Sequence, residues 1–244
     1  MSMARLWLGS VCMTMAGLLP SAAENCHLPR GERVGIVATT PDPVLADGRI
    51  VRLAGVSPKG GGAELPRGEA VFHPLSRQAD RWGRLSGFLV PDGGDLTSSL
   101  NLVLLRQGRG LALPGDWPSG CFALALAAED EARRAKRGLW AGRDLVLQAT
   151  DLDGLRAAEG RFVIVEGVVR SVRRGRSQVF LNFGPFGSDR LSVTVPTSRL
   201  DAFSAAGRDV LNLAGAQVSL RGVVGPGPSM ELNVADALLR LRSP

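Results

Sequence analysis

Ala46-Asp47-Gly48-Arg49-Ile50-Val51-Arg52-Leu53-Ala54-Gly55-Val56-Ser57-Pro58-Lys59-Gly60 is the stretch on which the fold turns. Asp47-Gly48 is a tight-hairpin dipeptide, because both residue types tolerate the positive φ that two-residue β-turns require. Residues 48–56 behind it are rich in Val, Ile and Leu and read as a strand; residues 33–38 in front of it read as its antiparallel partner. The Gly/Pro content of residues 57–70 then announces a loop rather than a continuation.

Working outward, residues 70–76 and 85–90 are two further strands joined by the turn Asp80-Arg81-Trp82-Gly83-Arg84. Asp92-Gly93-Gly94-Asp95 is another turn. Asp95 or Thr97 can cap a helix that runs to Gln107, with Leu100, Val103, Leu104 and Gln107 at helical spacing and Gly108 as its stop. Pro118 or Ser119 opens a second helix to about Arg137, whose basic last turn suits the negative end of the helix dipole.

A second module is expected over residues 145–244. Residues 162–172, 179–183, 191–195, 218–224 and 230–234 read as five strands, with a short helix at 197–206 before the last two. The fold class expected is therefore mainly β with α: a five-stranded OB-like barrel with C-terminal helices, then a second OB-like barrel.

The chain has 244 residues, 45% of them hydrophobic and 21% charged, which excludes wholesale disorder. Of its 29 basic residues only Lys59 and Lys136 are lysine. Residues 1–23 read as a cleaved signal peptide, with Arg5 before an apolar run and Ser21-Ala22-Ala23 as the small-residue site. A secreted or periplasmic protein without stable membrane insertion is expected, carrying a net charge of +5 once Arg5 leaves the formal +6. Cys12 goes with the signal. Cys26 and Cys121 remain, a pair suited to a disulfide in an oxidising compartment, two free thiols being the alternative. With only His27 and His73 to join them, they do not make a zinc motif.

Arg52-Leu53-Ala54-Gly55-Val56, Asp80-Arg81-Trp82-Gly83-Arg84, residues 102–110 and residues 129–140 ending in Gly138-Leu139-Trp140 together resemble the thermonuclease (staphylococcal nuclease-like) family, over residues 24–142 as a domain. The resemblance implies a nuclease in which two Asp hold Ca²⁺, a Glu activates water and two Arg bind the phosphate. A hard cation wants carboxylate oxygens, and arginine forks neutralise charge developing on phosphoryl oxygens. Here the first metal Asp falls on Pro41, with Asp42 one position away; the second falls on Ser57 and the Glu on Gly60. Lys59 adds a cation beside them, and the family's first long helix has no counterpart before Asp80. Asp42, Glu64 and Glu69 are the nearby carboxylates that could serve as displaced ligands. Arg52 and Arg84 match the phosphate-binding pair, and Trp82 stands where the family carries Tyr; the alternative is that both arginines tie loops to carboxylates or carbonyls.

Gly167-Val168-Val169, Leu181-Asn182-Phe183-Gly184 and Arg221-Gly222-Val223-Val224 resemble the OB-fold nucleic-acid-binding domains that follow such barrels in exported proteins. Arg170, Arg173, Arg174 and Arg176 crowd one hairpin, with Phe180, Phe183 and Phe186 just beyond, the mixture that binds single strands by phosphate attraction and base stacking. The alternatives are a solvated basic turn and a core Phe180. Three functions follow. The first is a catalytically degenerate nuclease homologue that binds single-stranded DNA or RNA and needs no cofactor. The second is an active Ca²⁺-dependent nuclease with displaced ligands. The third is an envelope protein that binds protein or glycan.

Overall fold

The computed structural model describes residues 26–38, 42–58, 67–142, 145–185 and 189–241. Residues 1–23 of the expected signal, and Pro41, Lys59, Gly60, Glu64 and Phe186, lie outside the described residues.

The protein is a mixture of strands and helices in which strands predominate. In the first half β1 (Glu32–Ala38), β2 (Val44–Leu45), β3 (Ile50–Leu53), β5 (Gly68–Pro74) and β6 (Arg84–Pro91) close into a ring in the order β1-β2-β3-β6-β5. All its pairings are antiparallel except β3 with β6, where Arg52 lies opposite Ser86 and Ile50 opposite Arg84. Period-2 alternation sends Val51 and Leu53 inward and Arg52 outward. Val34, Ile36, Phe72 and Phe88 fill the ring.

The strand expected over 48–56 breaks at Ala54-Gly55. Gly55 has φ 69°, and a Cβ there would stand 2.2 Å from Trp117 Nε1. No other residue type gives both the left-handed backbone and the space. Trp117 Nε1 donates to the Gly55 carbonyl at 3.1 Å, so the chain turns off the ring into β4 (Val56–Pro58), which pairs with β7 (Gly110–Ala112).

The first expected helix is divided. Asp95 caps a 3-10 turn at Leu96–Ser98, and Ser99 then caps α1 (Leu100–Arg106), each side chain accepting an N–H that the helix start leaves bare. Asn101, fully buried, bolts α1 to the ring. Its amide donates to the Ala54 and Gly87 carbonyls at 2.8 and 3.2 Å and its oxygen accepts from Leu89 N–H at 3.2 Å. The second helix, α2 (Phe122–Arg134), starts later than expected, after a turn that ends in Cys121. Cys121 is bonded to Cys26 with the Cα atoms 4.8 Å apart, within the usual disulfide range. The bond joins the front of the barrel to the head of its last helix.

The second half adds β8 (Val146–Gln148) and α3 (Leu152–Ala157), then β9 (Phe162–Val168), β10 (Ser171–Arg174), β11 (Gln178–Asn182) and β12 (Ser192–Pro196). After α4 (Leu200–Ala205) come β13 (Gln217–Val223), β14 (Ser229–Glu231) and β15 (Leu238–Arg240). They form two four-stranded sheets, β10-β11-β12-β14 and β15-β13-β9-β8, with β12 parallel to β14. The strand expected over 162–172 is cut at Val169-Arg170, where the chain leaves one sheet for the other. Val165, Leu181, Val193, Val195, Leu220 and Phe203 fill the space between them.

One cluster belongs to both halves: Leu111, Ala132 and Trp140 from the first pack with Val146 and Ile164 from the second. Beside it Arg221 of β13 reaches Glu129 of α2 with Nη2 to Oε1 at 2.6 Å and Nη1 to Oε2 at 3.2 Å. Nη1 also donates to the Ala112 carbonyl at 3.2 Å, and Glu129 accepts the Ala112 N–H at 2.7 Å. The two side chains are 6% and 3% exposed, so this is a bidentate pair held out of water. Arg221 Nε and, in the adjoining cluster, Trp140 Nε1 are buried without an acceptor among the described residues.

Candidate functional site

On the first barrel the parallel register of β3 and β6 sets Arg52 and Arg84 on the outer face, one step apart. Arg52 Nη2 donates to Ser86 Oγ at 2.8 Å and to Asp116 Oδ2 at 3.0 Å. Arg84 donates from Nε and Nη2 to Asp80 at 2.9 and 2.8 Å, and from Nη1 to Asp42 at 3.2 Å. Hydrogen bonding to Asp80 and then to Asp42 raises the Arg84 pKa further, against partial desolvation. In Asp80 desolvation pushes the carboxyl up, but hydrogen bonds from the Arg84 and Trp82 N–H groups and the Arg84 guanidinium outweigh it and leave the group below its ordinary range. Both arginines therefore tie loops to carboxylates in this structure, and neither charge faces the surface unopposed.

Asp42, the nearest expected metal ligand, is an ion-pair partner of Arg84 rather than part of an oxygen cluster. Ser57 sits in β4 opposite Leu111. Among the described residues no three His, Cys, Asp or Glu groups come together as a metal site. Ca²⁺ takes 6–8 oxygens, several of them charged, and Asp42 and Ser57, the described residues at the expected ligand positions, do not supply such a set. Trp82 is 60% exposed at its hairpin tip, its ring flanked by the Arg81 and Arg84 guanidinium carbons at 3.9 and 4.9 Å from the ring centroid.

On the second half the outer face of β10-β11-β12-β14 holds the other candidates. Antiparallel pairing aligns Arg173 with Phe180 and Phe180 with Thr194, and one pleat further Ser171 with Asn182 and Asn182 with Ser192. The opposite face carries Val179, Leu181, Val193 and Val195, which fill the core. Alternation alone decides which side is wet. Arg173 stands over the half-buried Phe180 ring, its guanidinium carbon 4.8 Å from the centroid. Arg174 and Arg176 are exposed at and beyond the end of β10, and Arg170 is exposed at its start.

Phe183 is 4% exposed and packs in the core, because the strand has ended at Asn182 and the chain turns inward, so little of its ring is open to a base. Phe180 takes its place as the accessible aromatic. The sequence signal was present: Phe180 alternates with Val179 and Leu181, which are the better core residues.

Sequence reasoning also missed Asp116, Asn182 and Arg190. Asp116 neutralises Arg52 from a loop 64 residues away, and Arg190 Nε donates to Asn182 Oδ1 at 3.3 Å, extending the polar face toward the β11–β12 loop. Neither contact follows from local spacing.

No protein-family model matches this chain, and a search of curated proteins returns no match. No helix among the described residues is long and apolar enough to cross a membrane.

Proposed function

We propose that this chain is an exported nucleic-acid-binding protein built from two OB-like barrels, the first a thermonuclease-like barrel without hydrolytic chemistry. The strand order β1-β2-β3-β6-β5, with the third strand parallel to the last, is what supports the OB reading of the first half. In the second half β12 runs parallel to β14 and β9 lies beside β13, a comparable order, with α4 between β12 and β13 where the described residues of the first half show no helix. Export rests on the signal-like residues 1–23 and on the Cys26–Cys121 bond.

The observation that carries the binding function is Arg173 of the edge strand β10 over Phe180 of β11, with Arg174 and Arg176 exposed at the adjoining turn. A base can stack on the accessible part of the ring while the arginines neutralise phosphates, which is how such barrels hold single strands of many sequences. The face bears few carboxylates, Glu231 of β14 being the one on its outer rows. The first barrel contributes basic surface around Trp82, Arg81 and Arg77, while Arg52 and Arg84 remain in their own ion pairs. No cofactor is part of this function.

Fluorescence anisotropy of a labelled single-stranded oligonucleotide, with salt varied, tests it. Binding is expected to weaken with salt, and replacement of Arg173, Arg174 and Arg176 by Ala to reduce the log–log slope by about 2, at about 0.7 per phosphate contact. Absent or salt-independent binding would favour the envelope protein that recognises protein or glycan. In a fluorogenic nuclease assay no chelator-sensitive turnover of DNA or RNA is expected; turnover above that of a mock purification would mean a nuclease with relocated ligands.

A further inference from the structure

A cleft of about 400 Å³ opens at the far pole of the second barrel from the Arg174–Gln178 turn. It lies between the end of β8, the β9–β10 break and the loop after β11, and that volume falls in the range that holds small-molecule ligands. Its polar lining is mixed. Among the described residues Gln148, Thr150 and Gln217 present amides and a hydroxyl that make no side-chain hydrogen bond, Arg170 stands at the rim, and Glu166, 20% exposed, has Oε1 3.6 Å from Arg133 Nη1 and keeps its other carboxylate oxygen as an acceptor. Asp189, also in the lining, pairs with Arg156 at 2.8 Å. Acidic and basic groups are thus both present, so the cleft does not select for a phosphate. Its chemistry suits an uncharged group that donates and accepts hydrogen bonds and has an apolar face to lay against Val168 and Leu152.

The cleft is continuous with the proposed strand-binding face. Arg190 lines it and donates to Asn182, which sits on the same outer face as Phe180 and one pleat along. Residue 183, at the cleft, follows Phe180 by three positions, about 10 Å along a strand. We infer that the cleft receives one nucleobase of a single strand whose phosphates, several nucleotides further along, lie over Arg173, Arg174 and Arg176, and that it favours bases with an exocyclic amine. This rests on the nucleic-acid reading above. The reason for the preference is chemical. Glu166 can accept from the amine of cytosine or adenine, and a glutamine amide can meet adenine with a donor and an acceptor together. Thymine offers no amine.

The test is an anisotropy titration of the full-length mature protein with labelled dA12, dC12 and dT12 at one salt concentration, repeated for Gln148→Ala/Gln217→Ala, for Glu166→Gln and for Phe180→Ala. The unmodified protein is expected to bind dA12 or dC12 at least about tenfold more tightly than dT12, the size of one good base contact. The double glutamine variant and Glu166→Gln should each bring the three probes to within about threefold, leaving dT12 affinity nearly unchanged. Phe180→Ala should weaken all three alike. Equal affinity of the unmodified protein for the three probes, or a preference that survives both cleft variants, overturns the base pocket while leaving the strand-binding face intact. Failure to bind any of the three overturns both. Circular dichroism melting of each variant identifies any loss that comes from unfolding, and the agreement of the two independent cleft variants stands if one of them is unstable.

Discussion

Phe180 and Phe183 are three residues apart and do opposite jobs. Phe180 lies under Arg173 on a wet face, and Phe183 is closed in the core. Truncating each to Ala separates the two roles. Phe180→Ala should lower single-strand affinity by about 1–3 kcal/mol, the worth of one stacked base, with little change in melting temperature. Phe183→Ala should cost about 3–5 kcal/mol of stability, as core phenylalanines do, measured by urea unfolding. Affinity lost on Phe183→Ala without a stability change would show that its ring is the one in contact. At the same scale, Arg52 and Arg84 display how little a residue type reveals alone. Guanidinium forks serve phosphate and carboxylate equally well, and the tertiary positions of Asp116 and Asp42, with Asp80 of the same turn, decide between them.

At the level of elements, the strands with clean alternation were legible: β1, β5, β6, β11, β12 and β13 lie where Val, Ile, Leu and Phe recur on one face, with bounds shifted by a residue or two. What local pattern could not supply were the breaks and the short pieces. The cut at Gly55 depends on Trp117, 62 residues later. β8 and β15 are pieces of 3 residues each whose pairing comes from β9 and β13, and α3 is a helix of only 6 residues. The pairing of Cys26 with Cys121 was legible because two cysteines remain once Cys12 is set aside. Its loop of 95 residues makes it worth about 4–5 kcal/mol in the chain-entropy description. Cys26→Ser/Cys121→Ser should lower the unfolding free energy toward that amount, and an unchanged denaturant midpoint would count against a stabilising bond. Turns and helix ends also set an acid limit. Asp47, Asp80, Asp95 and Glu131 all titrate below their ordinary values, chiefly through hydrogen bonds from Arg49, Arg84, Thr97 and Arg137. A lowered folded pKa stabilises the fold above the unfolded value and ceases to as pH falls through the folded one. Asp236 acts in the opposite sense, since burial raises its pKa and its protonation on acidification favours the fold. Melting temperature should therefore fall below pH about 4, and Asp80→Asn should flatten that decline; an equally steep decline in the variant would remove Asp80 from the account.

For the molecule as a whole, the joint between the halves matters most. Leu111, Ala132, Trp140, Val146 and Ile164 bury a common apolar cluster, and Arg221 clasps Glu129 beside it. The sequence offered Arg221 and Glu129 only within separate stretches and gave no sign that they pair, because each belongs to a different half and only their docking brings them together. Glu129→Ala leaves a cation buried without its counter-charge and should cost about 3–5 kcal/mol. Glu129→Leu combined with Arg221→Met should recover most of the loss, since apolar replacement of a buried pair is often neutral. Calorimetry of the unmodified protein should give one transition, and Glu129→Ala should divide it into two; a single transition in both would show that the apolar cluster alone couples the halves. Chains built of two halves otherwise invite evolutionary shuffling, one half traded for a stranger's. A recombination joint at residues 143–144 would hand the newcomer a barrel with a carboxylate sunk in its docking face, and the graft would hold only if an arginine came with it at the matching point. Grafting the first half onto a stranger is therefore expected to fail unless an arginine is supplied opposite Glu129.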